Sequence, residues 1–275
     1  MKTKKICEPT EQKKWPWIKD RILFMNITID NVTMEEAVAC TKQLAKEGNG
    51  AYVVTPNVDH MIKLHQDETF AKIYADADLI LADGTPIMWF AKGFGTPLKE
   101  KVSGSDLFPR VCKMAADEKL SVFFLGGMEG VAKQAAKVLK RRYPTLSIVG
   151  IISPPFGFEK DETQMEEICK AIRDAGPDIL FVGLGAPKQE KFFEAIKERV
   201  NVPVALHIGG SFDFVAGTIK RAPKWMSKIG LEWFYRMCKE PKRMFKRYMI
   251  DDMQIFGLYL RYWIQNKQKK EQISE

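Results

Sequence analysis

The sequence predicts an α/β fold: a Rossmann-like, mostly parallel sheet with helices on both faces, followed by a basic helical C-terminal appendage. Three observations predict it. Short runs such as AYVV, FFLG and ILFVG are continuously apolar rather than alternating, as strands buried on both faces must be. Amphipathic stretches of helical period separate them. From about Ala222 the strand candidates cease and only helical pattern remains.

Taken in order, residues 1–20 mix Lys, Glu, Gln and Pro without apolar period, the composition of a flexible arm, with Trp15 and Trp17 around Pro16. Residues 22–29 read as a strand and 30–48 as a helix. Thr33 is its N-cap, Glu36 completes a capping box and Gly48 is the stop. Residues 51–57 form a short apolar strand ending in a polar turn, and 58 to about 77 read as helix. Residues 78–84 are a second buried strand, with a helix at 86–93. Residues 121–127 run as a strand into a double glycine, with the helix VAKQAAKVLKRR behind it. Residues 146–152, 178–185 and 202–210 supply three more strands, and helices at 162–175 and 187–200 separate them.

The 275 residues, 45% hydrophobic and 28% charged, suffice for a buried core without disulfides or a structural metal. The five cysteines (Cys7, Cys40, Cys112, Cys169, Cys238) are odd in number and contain no C-x-x-C pair. This argues against a secreted disulfide scaffold and a zinc site, and suits a reducing cytosol. The opening residues are basic and polar without an apolar h-region, so no secretory signal is expected. No run reaches the ~18 uninterrupted apolar residues of a membrane-spanning helix.

Charge is distributed unevenly. From Gly217 onward there are 14 basic and 6 acidic residues, so the whole net charge of +8 resides there and residues 1–216 are neutral. The division expected is an arm (1–20), an α/β core (21–221) and an appendage (222–275) suited to polyanions, either nucleic acid or anionic lipid. Met249, Met253, Phe256, Leu260 and Trp263 fall on one helical stripe. A stripe of this kind lies in a membrane interface, or packs against the core or a second copy of the chain.

In open parallel sheets ligands bind beyond the carboxyl ends of the strands. The polar residues at those ends are Thr55, Asn57 and Asp59; Asp83 and Thr85; Gly126 and Gly127; Gly183 to Gly185 with Lys188, Gln189 and Glu190; and Gly209, Gly210, Ser211 and Asp213. Two glycine-containing strand-to-helix turns, FLGGMEG and VGLGAPKQE, favour a nucleotide diphosphate at a helix N-terminus. Asp83 at a strand end has three readings: general base, sugar binder or helix cap. There is no H-E-x-x-H, D-x-D or G-x-S-x-G, which leaves metal-dependent and hydrolytic chemistry without a motif.

TPNVDH (55–60), ADGTP (82–86), VSGSDL (102–107), FFLGG (123–127), GLGAPKQE (183–190) and the long string GGSFDFVAGTIKRAPKWMSKIGLEWFYRMCKEPKRMFKRY (209–248) resemble the WecG/TagA/CpsF family of glycosyltransferases. The resemblance spans residues 21–248, in the family's order. It implies an inverting, metal-independent transferase without cofactor, peripheral to the inner face of the cell membrane. Such an enzyme moves a sugar, typically N-acetylmannosamine, from a UDP-sugar to polyprenyl-diphosphate-linked N-acetylglucosamine for the teichoic acid linkage unit. It implies Asp83 as the base, with Thr55 beside it in the catalytic set. Asn57, Gln189, Arg236, Arg243 and Arg247 fall on the family's substrate contacts. Gly126, Gly127, Gly185, Lys188 and Asp213 join them from the rim. Many relatives carry Arg where this chain has Lys101, which keeps the charge but lacks the bidentate fork.

Other classes predict different signs. A nicotinamide oxidoreductase needs a fuller glycine fingerprint and an acidic ribose ligand about 20 residues on. A nucleic-acid binder needs a phosphate-tracking basic arm rather than one interleaved with Trp, Phe and Met. The expected partners are therefore a UDP-sugar, a lipid-linked acceptor, an anionic membrane surface and possible further copies of the chain, with no nucleic acid.

Overall fold

A computed structural model describes residues 15, 17, 18, 20–223, 225, 226, 230–239 and 241–274. The chain opens with β1 (Arg21–Phe24), β2 (Ile27–Asp30), α1 (Met34–Glu47), β3 (Ala51–Val54), α2 (Val58–Gln66) and α3 (Glu68–Ala75). Next come β4 (Leu79–Ile80), α4 (Thr85–Gly93), α5 (Gly104–Glu118), β5 (Ser121–Gly126), α6 (Val131–Arg142) and β6 (Ser147–Ile152). The core ends with α7 (Glu162–Ala175), β7 (Ile179–Gly183), α8 (Lys188–Val200), β8 (Val204–His207) and α9 (Ser211–Ala216). After it the described residues include α10 (Glu232–Lys239), α11 (Pro241–Lys246) and α12 (Gln254–Ser274), with a π turn at Arg247–Asp251 before the last.

The apolar runs make one six-stranded sheet in the order β4-β3-β8-β7-β5-β6, with every pairing parallel. Side chains of the central strands are buried alternately on both faces. Tyr52 and Val54, Phe123 and Leu125, and Leu180 and Val182 point to one core. Ala51 and Val53, Val122 and Phe124, and Ile179 and Phe181 point to the other. Helices α2, α3, α4, α7 and α8 cover the first face; α1, α5, α6 and α9 cover the second. The α/β expectation and its doubly covered parallel sheet hold.

Local signals hold too. Thr33 Oγ1 accepts the Glu36 N–H at 3.2 Å and Glu36 Oε2 accepts the Thr33 N–H at 2.7 Å, which closes the capping box of α1. Gly48 N–H bonds Leu44 O at its end.

Four expectations are corrected. Residues 22–29 are an antiparallel hairpin rather than one strand, turning at Met25 in the left-handed region (φ 55°) and Asn26. That hairpin guards the short edge strand β4: the Asp30 carboxylate accepts the Ile80 N–H at 2.8 Å and pairs with Arg21 Nε at 2.6 Å. Residues 58–77 are two helices, because Asp67 ends α2 and caps α3 by accepting the Phe70 N–H at 3.0 Å. A long helix, α5, occupies 104–118, where the sequence suggested a motif but no element. The fourth correction concerns α12, which carries two apolar faces. Ile255 is buried and Leu258, Tyr259 and Tyr262 pack with it on the core; Tyr259 lies 4.8 Å from both Phe90 and Phe94. Of the stripe read from sequence, Phe256, Leu260 and Trp263 lie on the other face, Met249 lies in the π turn and Met253 just before the helix, and all five are exposed.

Of the proposed arm, residues 1–14, 16 and 19 lie outside the described residues. The Trp15 and Trp17 rings meet at 4.8 Å, tilted by 32°, and Trp15 Nε1 donates to Asp78. None of the described helices is long and apolar enough to cross a membrane.

Candidate active site

The parallel sheet delivers the loops after β4, β3, β8, β7 and β5 to one rim, side by side in that order. Thr55, just past β3, is buried, and its hydroxyl donates to His207 O at 3.4 Å. The first residue of α5 presses against it: a side chain on Gly104 would come within 3.2 Å of Thr55 Oγ1. Absence of a side chain there lets the N-terminus of α5 approach the rim.

Asp83 sits on a loop pinned from both sides. Its N–H bonds Pro56 O at 2.9 Å, and the neighbouring Ala82 O accepts the Val102 N–H at 2.8 Å. Gly84, not Asp83, is the N-cap of α4, and no side chain caps that helix. Among the described residues the Asp83 carboxyl has no hydrogen-bond partner, so the helix-cap reading falls away. Burial pushes its pKa up to about 7 despite the attraction of Lys101. Glu232 and Asp106 push it up further and Arg236 pulls it down. Lys101 Nζ lies 3.7 Å from Glu232 Oε2, which ties the core to α10 at this point.

The loop after β3 also carries an amide. Asn57 caps α2: its Oδ1 accepts the His60 N–H at 3.3 Å and lies 2.8 Å from His60 Nδ1. Arg247, from the turn between α11 and α12, reaches the same oxygen at 3.5 Å. It also lies 3.8 Å from both Asp59 and Asp252. Gln189, in the first turn of α8, is the second amide. Its Nε2 donates to Glu190 Oε1 at 2.8 Å and its Oε1 accepts the Gly209 N–H at 3.1 Å. Glu190 is fully buried, and burial raises its pKa to about 7. Burial likewise holds His60 and His207 down to about 3, so both are neutral.

The glycine turns serve packing as well as approach. A side chain at Gly126 (φ 111°) would lie 2.4 Å from Gly183 O, so β5 and β7 can close only around glycine. Gly127 donates its N–H to the same oxygen at 2.9 Å. The turn ends at Gly130, which gives α6 no side-chain cap. Gly185 stands in open space before α8. Lys188 turns to the loop after β6, 2.8 Å from Glu159 and 4.6 Å above the Phe158 ring. Asp213 Oδ1 accepts from Thr218 Oγ1 at 3.1 Å and fastens the turn after α9.

Arg236 extends from α10 across the half-buried Phe214, its guanidinium carbon 5.7 Å from the ring centre. Arg221 shares that ring at 5.5 Å. Pro109 lacks an N–H and so leaves Ser105 O of α5 without its helical partner. Arg221 Nη2 donates to that oxygen while Nη1 binds Asp106. Arg243 lies in α11, and its side chain is outside the described residues.

The rim therefore gathers Thr55, Asn57, Asp83, Lys101, Gln189, Arg236 and Arg247. Lys188 and Asp213 are engaged with their own loops. Glu232, Arg221 and Asp106 were not singled out from sequence, although each stands inside a quoted string. Among the described residues no three His, Cys, Asp or Glu side chains are arranged to hold a metal.

Residues 22–269 match the glycosyl transferase WecG/TagA/CpsF family. The chain is 34% identical to an N-acetylglucosaminyldiphosphoundecaprenol N-acetyl-beta-D-mannosaminyltransferase of Bacillus spizizenii, over 72% of this chain and 74% of the relative. It is 31% identical to the Bacillus subtilis protein of that name (70% and 73% covered). A Staphylococcus aureus protein of that name is 28% identical (82% and 87% covered). A match over most of the length, on a sheet whose rim collects the matched strings, makes the chain a glycosyltransferase of the WecG/TagA/CpsF family.

Proposed function

We propose that the protein transfers N-acetylmannosamine from its UDP-sugar to N-acetylglucosamine on a polyprenyl diphosphate, with inversion and without a metal. The acceptor and the transferred sugar follow the names of the three relatives. The observation that carries the reading is Asp83, a half-buried carboxyl at a strand end with no capping duty, on which Lys101 and Arg236 both exert an attraction. In this reading Asp83 takes the proton of the acceptor hydroxyl as that oxygen attacks the anomeric carbon. The bond to UDP breaks on the opposite face. Charge growing on the departing diphosphate is met by Arg236, Arg247 and Lys101, and by the uncapped start of α6. Thr55, Asn57 and Gln189 orient the donor. The core (21–221) does the chemistry, and the appendage (222–275) supplies arginines and a membrane contact through the outer face of α12. This puts the enzyme at the inner face of the cell membrane, where lipid-linked acceptor and UDP-sugar meet.

The test is a donor screen. Purified protein, a short-chain prenyl-diphosphate-N-acetylglucosamine and a panel of UDP-sugars are mixed with excess chelator, and UDP release is followed. Release with UDP-N-acetylmannosamine and not with UDP-glucose is expected. Release only after adding a divalent metal overturns the metal-independent part.

A further inference from the structure

Beneath the rim, three ionisable side chains take no part in the transfer chemistry: His60 on α2, Glu190 on α8 and His207 at the end of β8. Glu190 is 0% and His207 1% exposed. His60 Nε2 and His207 Nδ1 each lie 4.0 Å from the same oxygen, Glu190 Oε1. The walls are aromatic: His207 stacks on Tyr52 at 5.7 Å and lies 5.5 Å from Phe193, and His60 faces the Phe70 and Tyr74 rings at 6.3 and 6.2 Å.

A buried carboxylate with no cation paired to it is costly, whereas the neutral acid is not. The groups facing Glu190 are His60 and Lys63 from α2, Tyr74 from α3, Tyr52 from β3, His207 from β8 and Gln189 from its own helix. Lys63 is committed elsewhere, to Asp59 at 2.7 Å and Ala186 O at 3.2 Å. The histidine tautomer fits the neutral acid as well. Asn57 Oδ1 can only accept, so its 2.8 Å contact with His60 Nδ1 outweighs the 3.4 Å approach of the Asn57 N–H and assigns the proton to Nδ1, which leaves a lone pair on Nε2 facing Glu190. A carboxylate there would meet that lone pair; a carboxylic acid with its proton on Oε1 does not.

Two hydrogen-bonded arms leave this cluster and both end at the rim. One runs from Glu190 Oε1 to Gln189 and on to the Gly209 amide. The other runs from His60 to Asn57 Oδ1, which Arg247 also reaches. We propose that Glu190 is a positioning residue: as a protonated acid between His60 and His207, it sets the two rim amides, Gln189 and Asn57, in the geometry that transfer requires. Burial raises its pKa to about 7, so the working proton is lost just above neutrality. Ionisation reverses the His60 tautomer and frees both arms. The inference rests on the transferase reading and deepens it.

The experiment compares the full-length wild type with Glu190→Gln, which keeps the shape and the oxygen that accepts from Gln189 but cannot ionise. UDP release from UDP-N-acetylmannosamine is followed from about pH 6 to about pH 9. In the wild type, kcat/KM falls above about pH 7, and the fall is in KM as well as kcat. In Glu190→Gln the fall is absent, so the variant exceeds the wild type roughly tenfold or more at about pH 9. A variant profile superimposable on a turning-over wild type overturns the positioning role alone. Absence of wild-type turnover with every UDP-sugar overturns the transferase reading beneath it. Should Glu190→Gln not fold, His207→Asn, which touches Glu190 but neither amide, serves instead. A shift of the alkaline midpoint by about half a unit or more supports the proposal, and an unmoved midpoint overturns it.

Discussion

Asp83 shows how one side chain acquires a role from where the chain stops being a strand. With its carboxyl at about 7 in the free protein, half the molecules carry the base form near neutrality. A general base works ionised, so kcat/KM should rise with pH up to about 7 on the acid side. Asp83→Asn should lower kcat by roughly 10²-fold or more while UDP-sugar affinity, read by calorimetry, stays within about threefold. Wild-type turnover in that variant would leave Asp83 with no chemical part. Glu190 has a separate signature in stability. Its folded pKa is raised from 4.5 to about 7, so between those values the folded state holds a proton that the unfolded chain has released. Stability due to Glu190 therefore falls as pH rises across that window and is level above it. His60 and His207, lowered from 6.5 to about 3, act the other way between those values, and equally in a Glu190 variant. Glu190→Gln should gain on the order of 2 kcal/mol over wild type between about pH 5 and pH 8, measured by urea unfolding at each pH. The sequence placed Glu190 at a strand end but held no sign that it is buried against His60 and His207. His60 and Glu190 lie on amphipathic helices, where charged positions read as solvent-facing, and only tertiary packing buries them.

At the scale of elements, the strands were legible because parallel strands buried on both faces leave an unmistakable apolar run, and α1 because its capping box is local chemistry. The hairpin of β1 and β2 was not, since its turn uses Met25 and Asn26 in place of the glycine that normally marks φ > 0. Helix α5 was hidden by Pro109, which reads as a helix breaker; Arg221, 116 residues on from Ser105, gives the Ser105 carbonyl the bond that the proline cannot. The glycine turn after β5 was found, but for half of its reason. Gly126→Ala should cost about 2–4 kcal/mol, because a left-handed φ and a 2.4 Å contact with Gly183 O act together. Gly130→Ala, at φ 78° with open space around it, should cost only about 1 kcal/mol. Equal costs in denaturant titrations would mean that the β5–β7 approach is not what requires glycine at 126.

At the scale of the whole molecule, a neutral core and a segment holding the entire +8 charge are joined by specific contacts, not by a tether alone. Lys101 meets Glu232, Arg221 meets α5, and Tyr259 fills the ground between Phe90 and Phe94. Sequence periodicity found one apolar stripe here and left it to a membrane, the core or a second copy of the chain; the fold removes the core from that choice, because the docking is done by a different face. Docking by Ile255, Leu258, Tyr259 and Tyr262 leaves Met253, Phe256, Leu260 and Trp263 exposed, beside a basic segment. Apolar side chains of this kind add membrane affinity in proportion to the area they bury, and nearby lysines and arginines add attraction to anionic lipid. Replacing Leu260 and Trp263 together by Glu should therefore cut partitioning onto anionic vesicles about tenfold or more, with the melting temperature unchanged. Tyr259→Ala should do the reverse, lowering the melting temperature by several degrees, as loss of a packed aromatic does, while vesicle binding survives. Both variants can be read in one cosedimentation series with rising salt, where screening weakens the electrostatic share but not the apolar one. If the double Glu variant instead melts early and still binds vesicles, the exposed stripe belongs to the protein's own packing, and lipid contact must be sought on another face.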